Sequence, residues 1–324
     1  PLNQAKSQPR LTSIVYGYYP FWISSPTIYW ELIHTLSFFS LDADTYGNIV
    51  SKNGWPSISW LNTAHSNGVR IEITCALFGT SKISGLLSSS TYRTNLVNNL
   101  IAELQAGNAD GICIDFEFVP SSQKTNFITF LTELRNALKN MNPDYTLSIA
   151  GPAVVSWYPG YDFAQIAAIC DYIFIMAYDY HYSGGPPGPV APLAPSSLWG
   201  SLPNDSATIS GYLSATSNGR DTLILGVPYY GLDWPTTDYN LPGTKQSNAT
   251  ARVYKNAITY AQTYGRHWDA SGSVPYVLYG APSDTHQFWY DDTVSIALKY
   301  NLVKSSAIKG TGMWAIGSDG TRTE

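Results

Sequence analysis

The stretch Asp110-Gly111-Ile112-Cys113-Ile114-Asp115-Phe116-Glu117 decides how this chain is read. Side chains alternate along a strand, so Ile112, Ile114 and Phe116 share one face while Cys113, Asp115 and Glu117 share the other. A strand this rich in Ile and Phe belongs inside the protein. There an unpaired ionised carboxylate is costly, and it normally neutralises or finds a partner. A lone buried Asp is often a structural group satisfied by backbone donors or an Arg. Two acids two residues apart, at the end of an apolar strand, point instead to paired acid chemistry.

The neighbouring segments give this strand its setting. Upstream, Leu96, Val97, Leu100, Ile101 and Leu104 recur at helical spacing over 91–105, and Gly107 ends the helix. Downstream, Phe127, Phe130, Leu131, Leu134 and Leu138 form one stripe over 122–139. The same alternation runs through the chain, with strands expected at 13–19, 34–41, 69–78, 111–116, 146–150, 172–178, 222–229 and 312–316. Further helices are expected at 26–32, 58–66, 162–169, 208–216 and 290–300. A Gly/Pro-rich loop at 183–195 is long enough to shape a site.

After the seventh strand the rhythm breaks. Residues 232–288 scatter Pro, Gly and aromatics around one helical piece at 253–262, which reads as an inserted small α+β module. Eight strands alternating with helices argue for an α/β fold, a (β/α)8 TIM barrel built from 11–231 and 289–324 with a small α+β insertion domain at 232–288. Residues 1–10 read as a leader or linker remnant. The second reading, a doubly wound open sheet, has no glycine fingerprint to support it.

Composition narrows the partners. The 324 residues carry only 13% charged side chains but 14% aromatic ones, with 24 Tyr and 10 Trp, flat groups suited to stacking on sugars or lining a groove. A net charge of -5 without a basic run argues against nucleic acid or an acidic membrane surface as partner. No apolar run reaches the roughly 18 residues of a membrane span. Cys75, Cys113 and Cys170 lie in apolar segments without metal or redox spacing and read as small buried hydrophobes. The five His lack metal-ligand spacing, so neither a metal nor a cofactor is expected. Richness in Ser, Thr, Asn, Gly and Tyr with few Lys suits a secreted protein, and a monomer is expected.

In a barrel of this kind the C-terminal ends of the strands face the active site. Glu117 closes the fourth strand, Tyr178 and Asp179 the sixth and Tyr230 the seventh, while Trp314 sits on the eighth. At these positions the chain resembles family 18 of the glycoside hydrolases, the chitinases and their relatives. The strand-four signature D-G-x-D-x-D-x-E is matched at Asp110, Gly111, Asp115 and Glu117. Met176-Ala177-Tyr178-Asp179 is similar to M-x-Y-D, Gly226-Val227-Pro228-Tyr229-Tyr230-Gly231 to G-x-P-x-Y-G, and Trp314 matches the strand-eight tryptophan.

The resemblance implies hydrolysis of β-1,4 bonds after N-acetylglucosamine with retention, on chitin or chitooligosaccharides, by a substrate-assisted route and not with a carboxylate nucleophile. It implies Glu117 as general acid and base, Asp115 as the group that orients the acetamide, and Tyr230 as its hydrogen-bond donor. Tyr178 and Asp179 would hold the sugar, Trp314 would be its floor, and Met176 is carried over as a site residue that reads equally as packing. The chain departs from the pattern in three places. Cys113 stands at the middle acid, Leu232 where an arginine often follows the strand-seven glycine, and Cys75-Ala76-Leu77-Phe78-Gly79 where strand three carries S-x-G-G. With Cys113 in place, Asp115 is expected to titrate without a carboxyl neighbour on its strand, so the acid limb of the pH-rate profile moves down or simplifies. Loop aromatics Trp22, Trp55, Trp157, Tyr158, Trp199 and Trp234 are candidates for stacking on neighbouring sugars. Other readings stay open: a hydrolase of the same family acting on peptidoglycan or an N-glycan core, or a non-catalytic chitin-binding lectin.

Overall fold

The computed structural model describes residues 13–57, 60–200 and 202–322. The first half contains β1 (Ile14–Pro20), β2 (Thr35–Ala43), β3 (Ile49–Ser51), α1 (Leu61–Ser66), β4 (Arg70–Phe78), α2 (Thr80–Ser88), α3 (Ser90–Ala106) and β5 (Gly111–Glu117). There follow α4 (Lys124–Met141), β6 (Thr146–Pro152), α5 (Phe163–Ile169), β7 (Tyr172–Met176), α6 (Asp205–Ala215) and β8 (Leu223–Pro228). The remainder contains β9 (Tyr230–Thr236), β10 (Thr250–Val253), α7 (Tyr254–Tyr264), β11 (His267–Asp269), β12 (Val274–Ala281), β13 (Asp284–Trp289), α8 (Thr293–Ser306) and β14 (Gly310–Trp314).

Strands β1, β2, β4, β5, β6, β7, β8 and β14 pair in parallel around a ring, and β1 closes it by pairing with both β2 and β14. This is the (β/α)8 barrel. The short β3 extends one edge by pairing antiparallel with the end of β2. On β5 the alternation sorts side chains as the pattern requires. Ile112, Ile114 and Phe116 face outward into the layer between barrel and helices, against Phe127, Phe130, Leu131, Leu134 and Leu138 of α4. Cys113 faces inward with Tyr16, Tyr18, Phe174 and Ile224. The rings of Phe116 and Phe130 stack with centroids 5.6 Å apart, and each such side chain buried contributes about 1.5–3 kcal/mol.

The first two residues of the signature serve the fold. Asp110 accepts the backbone N–H of Ile71 at 2.8 Å and pairs with His65 Nε2 at 2.9 Å, stitching the entry of β5 to β4. Gly111 lies so close to β6 that a Cβ would sit 2.1 Å from Thr146 Oγ1 and 2.5 Å from the Thr146 carbonyl oxygen. Backbone cannot yield there. Gly111→Ala is therefore expected to destabilise the protein by about 1–3 kcal/mol, the usual cost of overpacking, measured as a lower urea midpoint.

Several expectations from sequence are corrected. The helix expected at 26–32 reduces to one 3-10 turn, Trp30–Leu32, because Pro26 and the β-branched Thr27 and Ile28 leave too few residues to repay nucleation. The helix expected at 58–66 is described from Leu61; 58 and 59 lie outside the described residues, as do 1–10. Helix α2 was not anticipated, although Ile83, Leu86 and Leu87 bury one stripe of it. Strand β7 stops at Met176, two residues early, because Ala177 N–H donates to Ile175 O and Tyr178 N–H to Met176 O, turning the chain out of the ladder. Helix α8 starts three residues late, since Asp292 caps it in a capping box with Ser295.

Between β8 and α8 the chain forms a second, five-stranded sheet of order β10-β9-β13-β12-β11, starting at Tyr230 and reaching Trp289. Helix α7 packs on one face of it through Tyr254 and Ala257 against Val277, Phe288 and Tyr290. The Gly/Pro-rich loop ties this sheet to the barrel, for Leu193 N–H donates to Gly272 O at 2.8 Å and Ala249 N–H to Ser183 O at 3.0 Å. Cys75, Cys113 and Cys170 are free and buried. Among the described residues no helix is long and apolar enough to cross a membrane.

Candidate active site

At the C-terminal mouth of the barrel lies a cleft of about 1090 Å³, and Asp115, Glu117, Met176, Tyr178, Asp179, Tyr230 and Trp314 all line it. Strand ends bring together seven residues spread over 200 positions of sequence. Asp115 is the deepest of the acids, 4% exposed, and its Oδ1 has no protein partner. Burial pushes its carboxyl well above the ordinary range, and the adjacent Glu117 charge pushes it further. Glu117 is half-buried; burial raises it, the Asp179 charge adds to the rise, and the hydrogen bond with Asp115 opposes it. These directions describe two carboxyls sharing a proton, with Asp115 donating to Glu117 in the open cleft.

This corrects the expectation for Asp115. The middle acid of the signature is indeed absent, but Glu117 on the same face couples to Asp115 and burial drives its pKa upward. Cys113 takes no part as an acid: burial holds its thiol at about 12, and its Sγ lies 3.2 Å from the Tyr18 hydroxyl. The alkaline limb of kcat/KM is therefore expected to lie above the ordinary carboxylate range, since activity ends only when the pair loses its last proton. A profile falling between pH ~4 and ~5, where unperturbed carboxyls titrate, would contradict this.

Opposite the acids, the Tyr230 hydroxyl donates to Asp179 Oδ1. Asp179 adopts φ +57°, the left-handed region that Asp tolerates better than most residues. It stands exposed in the cleft; burial by the surrounding wall raises its pKa and the Tyr230 bond opposes the rise. Tyr178 meets Tyr230 edge to face at 6.2 Å. Trp314 lines the cleft among Phe39, Tyr18 and Trp22, with centroids at 4.8, 5.6 and 6.3 Å. Met176 packs against the inner barrel cluster and lines the cleft.

The loop aromatics divide. Trp22, 56% exposed, and Trp157, 64% exposed, line the cleft with Tyr158. Trp55, Trp199 and Trp234 are buried packing. Leu232 is a buried part of the cleft wall. The arginine near it, Arg252, pairs in register with Gly231, bonds Asp233 Oδ2 at 2.6 Å and lies 5.2 Å from the Tyr260 ring of α7. Its guanidinium is thus held on the α7 side of the sheet.

Sequence reading missed Glu72 beneath this site. It is fully buried and accepts from Tyr16 at 2.7 Å, from Thr146 at 2.6 Å and from Ser148. The signal was available, because Ile71-Glu72-Ile73 sets an acid inside an apolar strand just as Ile114-Asp115-Phe116 does.

Residues 5–319 match Glycosyl hydrolases family 18. The chain belongs to that family. The family and its chitinase members support a chitinase-type glycoside hydrolase. It is 30% identical over 95% of its length to Bacillus subtilis YdhD, whose name describes a sporulation-specific glycosylase, and covers 73% of that protein. It is 26% identical over 72% of its length to the cortical fragment-lytic enzyme of the same organism, of which it spans 52%, and 28% identical over 78% to mouse di-N-acetylchitobiase, of which it spans 71%. In fold it is similar to the Group IV chitinase of Ostrinia furnacalis, with a TM-score of 0.86 at 22% identity over 96% of each chain.

Proposed function

We propose that the protein hydrolyses β-1,4 bonds after N-acetylglucosamine with retention of configuration, Glu117 being the general acid and then the base. The observation that carries this is that the buried Asp115 and the half-buried Glu117 line one cleft with the hydrogen-bonded Tyr230–Asp179 pair. A bound acetamide offers its N–H to Asp115, whose Oδ1 has no protein donor. That contact favours the Asp115 carboxylate and leaves the shared proton on Glu117, ready for the leaving oxygen. Breaking the glycosidic bond develops positive charge at C1, which the acetamido oxygen captures in a five-membered ring. Asp115 balances the resulting cation; for Tyr230 to donate to the acetamido oxygen of the bound sugar, its single hydrogen turns from Asp179 to that oxygen before the ring closes. Glu117, now ionised, takes a proton from the water that opens the ring.

Chitooligosaccharides are the substrates we favour, because the lining is largely aromatic, its carboxyls are Asp115, Glu117 and Asp179, and the arginine on it, Arg252, is already paired with Asp233. Trp22, Trp157 and Tyr158 would stack on sugars flanking the cleaved bond. We read the sheet from Tyr230 to Trp289 as an inserted module that walls one side of the groove, since Leu232 and Ala251 line it. The protein would act as a secreted monomer. Similarity to a cortical fragment-lytic enzyme favours a second reading, hydrolysis of peptidoglycan strands by the same chemistry.

The test is a panel of fluorogenic chitooligosaccharides, chitin, purified glycan strands and N-glycan cores, with products sized by mass spectrometry. Cleavage fastest on chitooligosaccharides supports the first reading and fastest on glycan strands the second. Binding without cleavage of any of them would reject both in favour of a lectin.

A further inference from the structure

Strand β10 is an outer strand of the five-stranded sheet and pairs with β9 alone. Tyr254 N–H donates to Tyr229 O at 3.0 Å, and these residues stand opposite each other in the register that sets Val253 against Tyr230. Opposed residues of an antiparallel pair alternate between hydrogen-bonded and non-bonded. Arg252 and Thr250 therefore bond inward to β9, while Ala251 and Val253 turn their backbone groups outward. Val253 is the N-cap of α7, so its C=O accepts the first bond of that helix. The Ala251 N–H and C=O and the Val253 N–H are left without a hydrogen-bond partner among the described residues. Ala251, exposed, and Val253, half-buried, line the same cleft as Asp115, Glu117 and Tyr230.

An open strand edge is normally blunted by proline, by charged side chains or by a covering loop. Here the Gly/Pro-rich loop covers only its beginning. Ala249 N–H donates to Ser183 O at 3.0 Å and Ser183 Oγ to Ala249 O at 2.6 Å, so one residue of loop is already added to the edge as a further strand would be. The loop then turns away, for Gly185 N–H bonds back to Tyr182 O at 2.8 Å. Arg252, the charged residue of β10, is engaged by Asp233.

The outward groups recur every second residue, about 6.8 Å along the strand. That is the period of an extended peptide, which presents an N–H and a C=O to its neighbour at alternate residues. A glycan has no backbone amide of that period. We propose that the β10 edge binds a peptide appended to the glycan, one of its residues exchanging two hydrogen bonds with Ala251 and the residue two positions away accepting from Val253 N–H. The acids and the edge share one cleft, so a peptide carried on the strand being cleaved enters with it. This deepens the second reading above, hydrolysis of peptidoglycan strands, and rests on it for the source of the peptide.

The test follows the backbone amides of Ala251 and Val253 by nitrogen–proton NMR in Glu117→Gln, where cleavage is slowed. Three probes are compared: a glycan-strand fragment bearing its peptide, the same fragment after enzymatic removal of the peptide, and chitohexaose. Both amides are expected to exchange with solvent about tenfold more slowly, and only with the peptide-bearing fragment. Equal protection by all three would mean that the edge takes sugar, and no protection by the peptide-bearing fragment that it takes no peptide; either result overturns the proposal. In the wild type, kcat/KM is expected to be about tenfold higher on peptide-bearing than on peptide-free strands. Ala251→Pro removes one outward N–H at an edge position that tolerates proline and is expected to lower that ratio about fivefold, whereas Ala251→Ser keeps it. An unchanged ratio in a folded Ala251→Pro would also overturn the proposal. Should the wild type cleave none of these substrates, the hydrolase reading fails by itself, and amide exchange still decides what the edge binds.

Discussion

Glu117→Gln is expected to lower kcat on chitooligosaccharides by about 10²–10⁴, the usual contribution of a positioned acid, with KM nearly unchanged. Glutamine keeps the size of the side chain and can still accept from Asp115, so the half-buried site has no cause to rearrange. What it lacks is the proton for the leaving oxygen. The loss should therefore be largest on natural oligosaccharides and smallest on substrates whose leaving group departs as a stable anion, because these need least protonation. Equal losses on both would mean that Glu117 supports binding or another step. Retained cleavage of natural substrate would mean that a different acid acts.

Asp115→Asn is the second large effect and carries two opposite signs. On activity, kcat is expected to fall by about 10²–10³, the magnitude of a lost electrostatic partner for developing charge, since an amide cannot balance the cation. On stability the same change is expected to help. The Asp115 pKa in the folded protein lies well above its unfolded value. Its contribution is therefore fully present below about pH 4 and is lost as pH rises through the folded value. Asparagine never ionises and escapes that loss. The variant should unfold at a higher temperature than wild type at neutral pH, and the difference should vanish toward about pH 4. A lower midpoint at neutral pH would mean that the Asp115 carboxylate is stabilised by the fold, contrary to the burial described.

The barrel was legible because its signals are local. Period-two and period-3.6 patterns around β5 and α4 specify which side chains face the helix layer, and the strand-end rule converts that pattern into Glu117, Tyr178, Asp179, Tyr230 and Trp314 at one mouth. Elements of low periodicity were not legible. The segment at 26–32 could not carry a helix through its proline and β-branched residues, and β7 ends early because of a turn made by backbone bonds at Ala177 and Tyr178. The partners of the acids were hidden for a different reason. Contacts such as Tyr230 with Asp179, or Asp205 with Lys299, join residues 51 and 94 positions apart, and no periodicity reports such a pair. Cys113 shows the limit of motif reading. The absent middle acid suggests an Asp115 without a carboxyl neighbour, whereas burial, which no motif reports, is the larger cause of its raised pKa and Glu117, two residues along the same face, adds to it.

The central claim, that the acetamide of the substrate is the nucleophile with Glu117 as acid, is tested most directly by following the anomeric configuration of the first product by proton NMR. Chitotetraose and its fully de-N-acetylated counterpart would be treated with the wild-type protein. The account predicts that the β-anomer appears first from chitotetraose and that the de-N-acetylated chain is not cleaved. Initial release of the α-anomer, or cleavage of both chains at similar rates, would contradict it.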